Sequence, residues 1–291
     1  MDIRPECVPC LMTRVLFQAK LADNGTEFSA LSAAMNTYAK KFKEGKNSAA
    51  VATEVHRSAY SAMCVKDPYL ALKKRSDEVA SKHVGIAEDA INTSKDRFRT
   101  AVLMSAIGNI MDFGSGIAID HPDMFRDEFD RMVAQGIGSD DTEKMLKELK
   151  GSKRIVYLFD NCGETYFDIL LIKEIRRMGV NVTGVVRGEA ILNDVTMEDA
   201  ERIGLRKEVD ELLSTSQFAI GMDIEKIGND LKNALKNADM IIAKGMANYE
   251  SLSDQQMNIP VVHILRSKCR PVADSLNVPV DINVVRFVGG N

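Results

Sequence analysis

One stretch decides the fold class, Ile155-Val-Tyr-Leu-Phe-Asp160-Asn161-Cys162-Gly163-Glu164-Thr165-Tyr166-Phe167-Asp168. Its first five residues are apolar, which is typical of a buried parallel strand, and the polar residues after them predict a loop at the carboxyl end of that strand. A helix is predicted over Thr165 to Met178, because apolar residues recur there at spacings of three and four, and Gly179 ends the pattern. The stretch therefore predicts a strand, a loop that carries acids, and a helix.

Three residues of that loop, Asp160, Asn161 and Glu164, are candidate site residues. In open α/β sheets, ligands bind just beyond the carboxyl ends of the strands. Asn, Asp and Glu are also favoured near a helix start, where they cap free backbone N–H groups. Helix capping accounts for one such residue, so three in one loop favour a binding site.

Length and composition are those of an ordinary globular protein of one or two domains, with 291 residues, 45% of them hydrophobic and 27% charged. The net charge of −4 and the lack of a basic stripe argue against a nucleic-acid partner. Neither a secretion signal nor an apolar run of membrane-spanning length is present, which predicts a cytoplasmic protein without a membrane partner. The oligomeric state stays open.

The first half of the chain carries almost no strand signal, whereas strands and helices alternate from Arg154 onward. Apolar residues at helical spacing recur over residues 10–22, 28–42, 48–63, 69–91 and 97–111, and residues 139–153 predict a surface helix. The sequence therefore predicts a helical domain over residues 1–150. Residues 151–291 are predicted to form an α/β domain whose mostly parallel sheet has helices on both faces.

A pair of cysteines, Cys7-Val-Pro-Cys10, opens the first predicted helix. The pair supplies half of a tetrahedral zinc site, and neither a second close pair nor a Cys–His pair follows it. The chain has five cysteines, an odd and scattered set that favours reduced thiols over a disulfide framework. Buried structural thiols are the favoured interpretation, while a metal role, a redox role or a place near the other domain's active site stay open.

Polar residues also follow the other predicted strands. They are Arg187, Asn193, Asp194, Lys244, Asn248 and Lys268. Carboxylate and amide oxygens suit a hard divalent cation such as magnesium or manganese, and lysines and arginines bind phosphate. The combination indicates metal-assisted phosphoryl chemistry, and neither a glycine-rich phosphate loop nor a GxSxG elbow is present.

A second polar cluster, Asn109 and Asp112, ends an apolar helix and lies on one face of it. Polar groups that leave such a helix need partners, which are caps, waters or a ligand. Taken alone, the cluster favours helix capping.

Several of these stretches together resemble the signature motifs of the metal-dependent damage-control phosphatases, a family once catalogued as domain of unknown function eighty-nine. The motifs occupy Asp160–Asp168, Leu192–Ala200, Lys244–Glu250 and Lys268–Ala273. The Cys7-x-x-Cys10 pair, Asp67-Pro-Tyr69 and Gly108-Asn109-x-x-Asp112 are similar to the archaeal and bacterial branch. The resemblance spans nearly the whole chain.

The resemblance implies a helical N-terminal domain against a three-layer, Rossmann-like α/β/α sandwich. It also implies a divalent metal, which is manganese, nickel, cobalt or magnesium, held by Asp160, Asn161 and Asp194. The implied activity is hydrolysis of small phosphomonoesters, such as sugar phosphates or damaged cofactor intermediates. Cys162 departs from the small residue expected at its position, and its thiol either tunes the metal preference or packs.

The resemblance also suggests roles for single residues. The metal would polarise the phosphoryl group and lower the pKa of a bound water, although attack by an Asp side chain stays open. Lys268, with Lys244 as a second candidate, would neutralise charge on the phosphoryl group, and Glu164 or Asp112 would orient the water or act as base. The candidates for binding phosphate or substrate are Asn109, Asn248, Arg187, Asn193 and Lys244.

Two other functions stay open. The first is methyl transfer from S-adenosylmethionine, which a Rossmann-like sheet could host, but the first strand leads into Asp160-Asn-Cys-Gly rather than a glycine-rich turn. The second is a non-catalytic protein that binds a metal and a phosphorylated metabolite. Such a protein would bind phosphate esters without turnover.

Overall fold

The computed structural model describes residues 1–109 and 125–290, and for residues 125–127 the backbone alone. Its strands are β1 (Ile137–Asp140), β2 (Arg154–Leu158), β3 (Asn181–Val186), β4 (Glu211–Ser214), β5 (Met240–Lys244), β6 (Val261–Arg266) and β7 (Asn283–Val288). Within the described residues these seven strands form one sheet in the order β1-β7-β6-β5-β2-β3-β4. Neighbouring strands are parallel except β6 and β7, which pair antiparallel. The predicted α/β fold with a mostly parallel sheet is confirmed.

Helices precede the first strand, as predicted. They are α1 (Cys7–Ala22), α2 (Glu27–Lys41), α3 (Ser48–Met63), α4 (Leu70–Thr93) and α5 (Arg97–Gly108). Helix α6 (Phe125–Gln135) also precedes β1. The later helices are α7 (Thr142–Gly151), α8 (Glu164–Arg177), α9 (Met197–Arg202), α10 (Asn229–Lys236), α11 (Gly245–Leu252) and α12 (Arg270–Leu276). No helix of the described part of the chain is long and apolar enough to cross a membrane.

Strand β1 lies in the half of the chain that shows almost no strand signal. Its sequence, Ile-Gly-Ser-Asp, has no apolar run, and it becomes a strand by pairing with β7, where Ile137 lies opposite Asn283. Strand formation depends strongly on such tertiary context. Because β1 precedes residue 151, the sheet takes one strand from the segment assigned to the helical half. The division of the chain at residue 151 stays a prediction.

Helices cover both faces of the sheet. On one face, α5 and α8 pack together through buried residues such as Ile107 and Phe167. On the other face, Leu231 of α10 and Leu252 of α11 pack against Val156 and Ile241 of the sheet. Burial of apolar side chains on both faces explains why the central strands are nearly continuous in hydrophobic residues.

Helices α1, α2 and α3 form a separate apolar cluster that reaches the strand ends. Val15, Ala34 and Val55 belong to this cluster, together with Leu192 and Ile220. Leu192 follows β3, and Ile220 follows β4, so the cluster contacts the loops at the carboxyl ends of these strands. The first three helices therefore pack over the edge of the sheet at which the predicted site residues lie.

Candidate active site

The loop between β2 and α8 holds Asp160 and Asn161 in a fixed position. Strand β2 lies between β3 and β5, and its residues after Arg154 are fully buried. The loop turns at Gly163, whose φ of 78° favours glycine, and a Cβ there would lie 3.0 Å from the backbone oxygen of Ser76 on α4. The N–H of Gly163 also donates a hydrogen bond of 2.8 Å to Oδ1 of Asp77 on the same helix. Helix α4 thus fixes the loop from one side.

The loop after β3 brings Asp194 beside this first loop. Asn161 and Asp194 form an isolated backbone bridge, and the N–H of Val195 donates to the carbonyl oxygen of Asp160 at 2.8 Å. Both aspartates are nearly fully buried. Two loops that are distant in the sequence therefore place Asp160, Asn161 and Asp194 side by side.

A buried arginine, Arg187, links the two aspartates. Its Nε donates to Oδ2 of Asp194 at 2.6 Å, and its Nη2 lies 3.5 Å from Oδ1 of Asp160. Its Nη1 donates to Oδ1 of Asn248 at 3.0 Å. Through these contacts Arg187 compensates the buried carboxylates and orients them.

Lys244 lies in a second buried ionic cluster. Its Nζ lies 2.7 Å from Oε1 of Glu164 and 2.6 Å from Oδ1 of Asp168, and it donates to the carbonyl oxygen of Ser105 at 2.9 Å. Burial lowers the pKa of Lys244, but the two carboxylates outweigh burial and raise this pKa above its usual value. Burial raises the pKa of Asp168, against the opposing effect of Lys244. Lys244 therefore contacts carboxylates, which differs from the surroundings expected of a phosphate-binding lysine.

Glu164 connects this ionic cluster to the loop residues. Its Oε2 accepts from Nδ2 of Asn161 at 3.0 Å and from Nδ2 of Asn109 at 2.8 Å. Nδ2 of Asn161 donates also to Oδ2 of Asp160 at 2.8 Å. With its amide nitrogen turned to these carboxylates, Asn161 offers Oδ1 to a cation.

A cavity of about 130 Å³ lies between these loops and the helical half of the chain. The loops contribute Asp160, Asn161 and Asp194 to its wall, and Asn109 and Lys268 line it as well. Nζ of Lys268 donates to the carbonyl oxygen of Asn109 at 3.0 Å. Acidic oxygens and a lysine thus line the same small space.

The other half of the wall comes mainly from helices α1, α3 and α11. Among its side chains are Ile3, Cys7, Cys10, Leu11, Arg14, His56, Leu192, Ile220, Glu250 and Cys269. The Cys7-x-x-Cys10 pair thus lies at the candidate active site, one of the positions that the sequence left open. Cys162 is 1% exposed and packs in the core, and burial raises its pKa well above the usual value, in agreement with a packing role.

The structure separates the predicted site residues into two groups. Asn109, Asp160, Asn161, Asp194 and Lys268 line the cavity. A second group is buried and is not among the lining residues of this cavity, namely Glu164, Arg187, Asn193, Lys244 and Asn248. Members of this second group bond to the lining residues or to one another. Asp112 lies outside the described residues.

Four residues that the structure places at or beside the site were not among the candidates predicted from the sequence. Arg14, His56 and Glu250 line the cavity, and Asp77 holds the loop at Gly163. Glu250 stands inside a motif that the family resemblance singled out, which is the one signal that could have found it. Arg14 and Asp77 stand in helical segments where isolated charges are ordinarily solvated.

The oxygen donors fit a divalent metal that keeps bound water. No group of three His, Cys, Asp or Glu side chains in residues 1–109 and 125–290 is placed to hold a metal by itself. Asp160 and Asp194 instead offer two carboxylates, and Asn161 adds an amide oxygen. Magnesium and manganese are commonly bound in this way, by one or two carboxylates with waters in the other positions.

Comparisons with known proteins identify relatives along nearly the whole chain. Residues 3–284 match the family described as "Damage-control phosphatase ARMT1-like domain". A protein of Archaeoglobus fulgidus named "Damage-control phosphatase" is 39% identical over 290 residues, which cover 99% of this chain and 100% of the relative. A damage-control phosphatase of Pyrococcus horikoshii is 30% identical over 283 residues, which cover 96% of each chain.

The fold is similar to that of a solved relative. The crystal structure of a DUF89 family protein from Pyrococcus horikoshii superposes with a TM-score of 0.87 at 28% identity. The superposition covers 98% of each chain. Both the helical half and the sheet therefore have counterparts in that structure.

Proposed function

This chain belongs to the damage-control phosphatase ARMT1-like family, and from that premise we propose that it hydrolyses small phosphomonoesters with the help of a divalent metal ion. One observation carries the proposal: Asp160, Asn161, Asp194 and Lys268 line the same cavity. Oxygen ligands for a metal beside a cation for phosphate are the groups that phosphoryl transfer requires. The proposed substrates are sugar phosphates or damaged phosphorylated metabolites.

We propose Asp160, Asn161 and Asp194 as the ligands of manganese, nickel, cobalt or magnesium. When bound, such a metal polarises the phosphoryl group and lowers the pKa of a bound water. Arg187 keeps the two carboxylates in place through its contacts at 2.6 Å and 3.5 Å. Gly245 leaves room for Asp160, because a Cβ on Gly245 would lie 1.8 Å from Oδ2 of that aspartate.

Lys268 is the proposed phosphate ligand. It is 7% exposed, lines the cavity and has its Nζ 3.0 Å from the carbonyl oxygen of Asn109. A lysine held in a largely buried position stabilises negative charge on a phosphoryl oxygen more strongly than a solvated one. Lys244 has a different role in this proposal, since its contacts are with Glu164 and Asp168.

Glu164 acts through its neighbours. It is fully buried, and it accepts hydrogen bonds from Asn161 and Asn109 while it pairs with Lys244. These contacts fix the amide of Asn161 with its nitrogen toward Glu164. The proposed role of Glu164 is therefore positioning of a metal ligand rather than proton transfer.

The proposal is tested by phosphate release after metal chelation and after addition of manganese, cobalt, nickel or magnesium. The substrates are p-nitrophenyl phosphate and a panel of sugar phosphates. We expect metal-restored turnover in the wild type, and a loss of about 100-fold or more in Asp160→Asn and Lys268→Met. The matched control is Lys232→Met, which changes an exposed lysine of α10 and should keep full activity.

Two outcomes would support the alternatives. Tight binding of phosphate esters by folded, metal-loaded protein without turnover would favour a non-catalytic binding protein. Thermal stabilisation by S-adenosylmethionine in the absence of metal, without phosphate release, would favour methyl transfer.

A further inference from the structure

The cavity has a second polar group, apart from the proposed metal and phosphate ligands. Arg14 of α1, His56 of α3 and Glu250 of α11 line the same cavity as Asp160 and Lys268. A phosphomonoester whose phosphate lies at Lys268 has its organic part in the remainder of this space. The three side chains are therefore candidates for contact with that organic part.

His56 lacks partners that a buried polar side chain ordinarily has. It is fully buried, and neither Nδ1 nor Nε2 has a hydrogen-bond partner in the described part of the chain. Buried polar groups are nearly always hydrogen-bonded, and an unpaired one destabilises the protein. Burial and the charge of Arg14 lower the pKa of His56 to about 3, so the ring is neutral near pH 7. A neutral imidazole has one donor and one acceptor nitrogen, which a hydroxyl group can satisfy.

Glu250 and Arg14 present opposite charges to the same space. Oε2 of Glu250 accepts a hydrogen bond of 2.8 Å from Oγ of Ser48, which fixes the carboxylate against α3. A hydroxyl group can donate to Glu250 and accept from Arg14. An anionic substituent would be repelled by Glu250, and a cationic one would be repelled by Arg14. This pair therefore favours a neutral, hydroxylated group over a charged one.

The size of the cavity limits the organic part. An engineered cavity of about 150 Å³ is filled by benzene, and the phosphate occupies part of this space of about 130 Å³, so the space favours a small organic part. The three-carbon chain of glycerol is a suitable probe of that size. Leu11 and Ile220 in the wall provide apolar contacts for the carbon chain.

We infer that Arg14, His56 and Glu250 form a specificity subsite that binds the hydroxyl groups of a short polyol chain on the substrate. The inference rests on the proposed phosphatase function, because it assigns the phosphate of the same molecule to Lys268. It adds Arg14 and His56 of the helical half, with Glu250 of α11, to a site whose metal and phosphate ligands come mostly from the strand ends.

The test uses two esters with the same carbon chain, glycerol 3-phosphate and propyl phosphate, the second of which lacks the hydroxyl groups. Their kcat/KM and their binding by calorimetry are measured with manganese-loaded wild type, His56→Leu and Glu250→Gln. We expect each variant to lose at least tenfold in kcat/KM and affinity for glycerol 3-phosphate, mainly through KM. The values for propyl phosphate should change by less than about threefold.

The control variant is His263→Leu. His263 is another buried histidine with an unpartnered Nδ1, but it is not among the residues that line this cavity. It should leave the preference for glycerol 3-phosphate unchanged. Equal losses on both esters, no loss in either variant, or no preference in the wild type would overturn the inference.

Calorimetry separates this inference from the proposed function. If the wild type binds glycerol 3-phosphate selectively but releases no phosphate from either ester, the phosphatase proposal fails while the subsite stands. If the wild type binds neither ester, the subsite is overturned.

Discussion

Gly245 lies directly against Asp160: a Cβ added to Gly245 would stand 1.8 Å from Oδ2 and 2.3 Å from Cγ of that aspartate. Gly245 begins α11 with a φ of 74°, a conformation that favours glycine. Asp160 and Gly245 follow neighbouring strands, β2 and β5, so their close approach is a property of the strand pairing. The position of Asp160, a proposed metal ligand, thus depends on the absence of a side chain at Gly245.

Replacement of Gly245 by alanine should displace Asp160. We expect Gly245→Ala to weaken manganese binding by roughly 100-fold or more and to remove phosphatase activity, because the carboxylate must move to relieve the overlap. Metal affinity is measured by calorimetry on protein shown to be folded by circular dichroism. The matched control is Gly204→Ala, since Gly204 has a φ of 75° and nothing within 4 Å of its added Cβ. Equal metal affinity in the two variants would contradict the prediction.

Removal of Lys244 should lower the free energy of unfolding, because its side chain pairs with Glu164 and Asp168. Lys244→Met leaves Glu164 and Asp168 buried without their cation, which costs about 3–5 kcal/mol in free energy of unfolding. Addition of Asp168→Asn removes one of the two uncompensated charges and should recover part of that loss. Urea denaturation measures both variants against Lys232→Met, an exposed change expected to stay within about 0.5 kcal/mol. A loss below about 1 kcal/mol in Lys244→Met would contradict the proposed cluster.

Two buried histidines should contribute less to stability as the pH drops from 6.5 to 4. Burial, helped by the charge of Arg14, lowers the pKa of His56 to about 3, and burial lowers that of His263 to about 4, both from 6.5. At these two histidines the unfolded chain therefore binds more protons than the folded one in this window, so the stability that they contribute above pH 6.5 is lost below it. The pKa of Asp168, which is raised to about 6, acts in the opposite direction. Each histidine contributes a slope of at most about 1.4 kcal/mol per pH unit.

The His56→Leu variant isolates this contribution. Urea denaturation at pH 7, 6, 5 and 4.5 should show a shallower loss of stability in His56→Leu than in the wild type, since the leucine binds no proton in either state. Carboxylates titrate equally in the two proteins and cancel in the comparison. Identical slopes would mean that His56 is not held neutral by the fold.

Helix α4 should influence metal binding through Asp77. Its Oδ1 accepts from the N–H of Gly163 at 2.8 Å, and its Oδ2 lies 2.7 Å from Nη2 of Arg202. Asp77→Ala removes both contacts, so we expect manganese affinity to fall roughly 10- to 100-fold as the loop of Asp160 loosens. Glu78→Ala is the control, because Glu78 is exposed on the same helix and pairs only with Arg75 among the described residues. Loss of stability with unchanged metal affinity would make Asp77 a purely structural residue.

Local sequence was sufficient to predict most of the helices and strands. Helix α3 begins and ends where the apolar spacing predicted, at Ser48 and Met63, and the capping box of Thr196 and Asp199 at the start of α9 follows from two residues three apart in the sequence. Apolar periodicity and capping act over one or two turns, so the residues that carry them are neighbours in the sequence. The acids after β2 could also be predicted from local sequence, because the end of a buried strand is marked by its own change from apolar to polar residues.

Contacts between distant segments decided the formation of β1 and the directions of the site side chains. Strand β1 exists because β7 lies beside it, although its own four residues carry no strand pattern. Lys244 and Lys268 each stand at or just beyond the end of a buried strand, and the local sequence does not distinguish their roles. The structure buries one between Glu164 and Asp168 and turns the other to the cavity. Arg14, His56 and Glu250 come together only when α1, α3 and α11 pack. Strand ends can be predicted from local residues, but the direction of a side chain depends on partners far away in the chain, and tertiary packing alone supplies them.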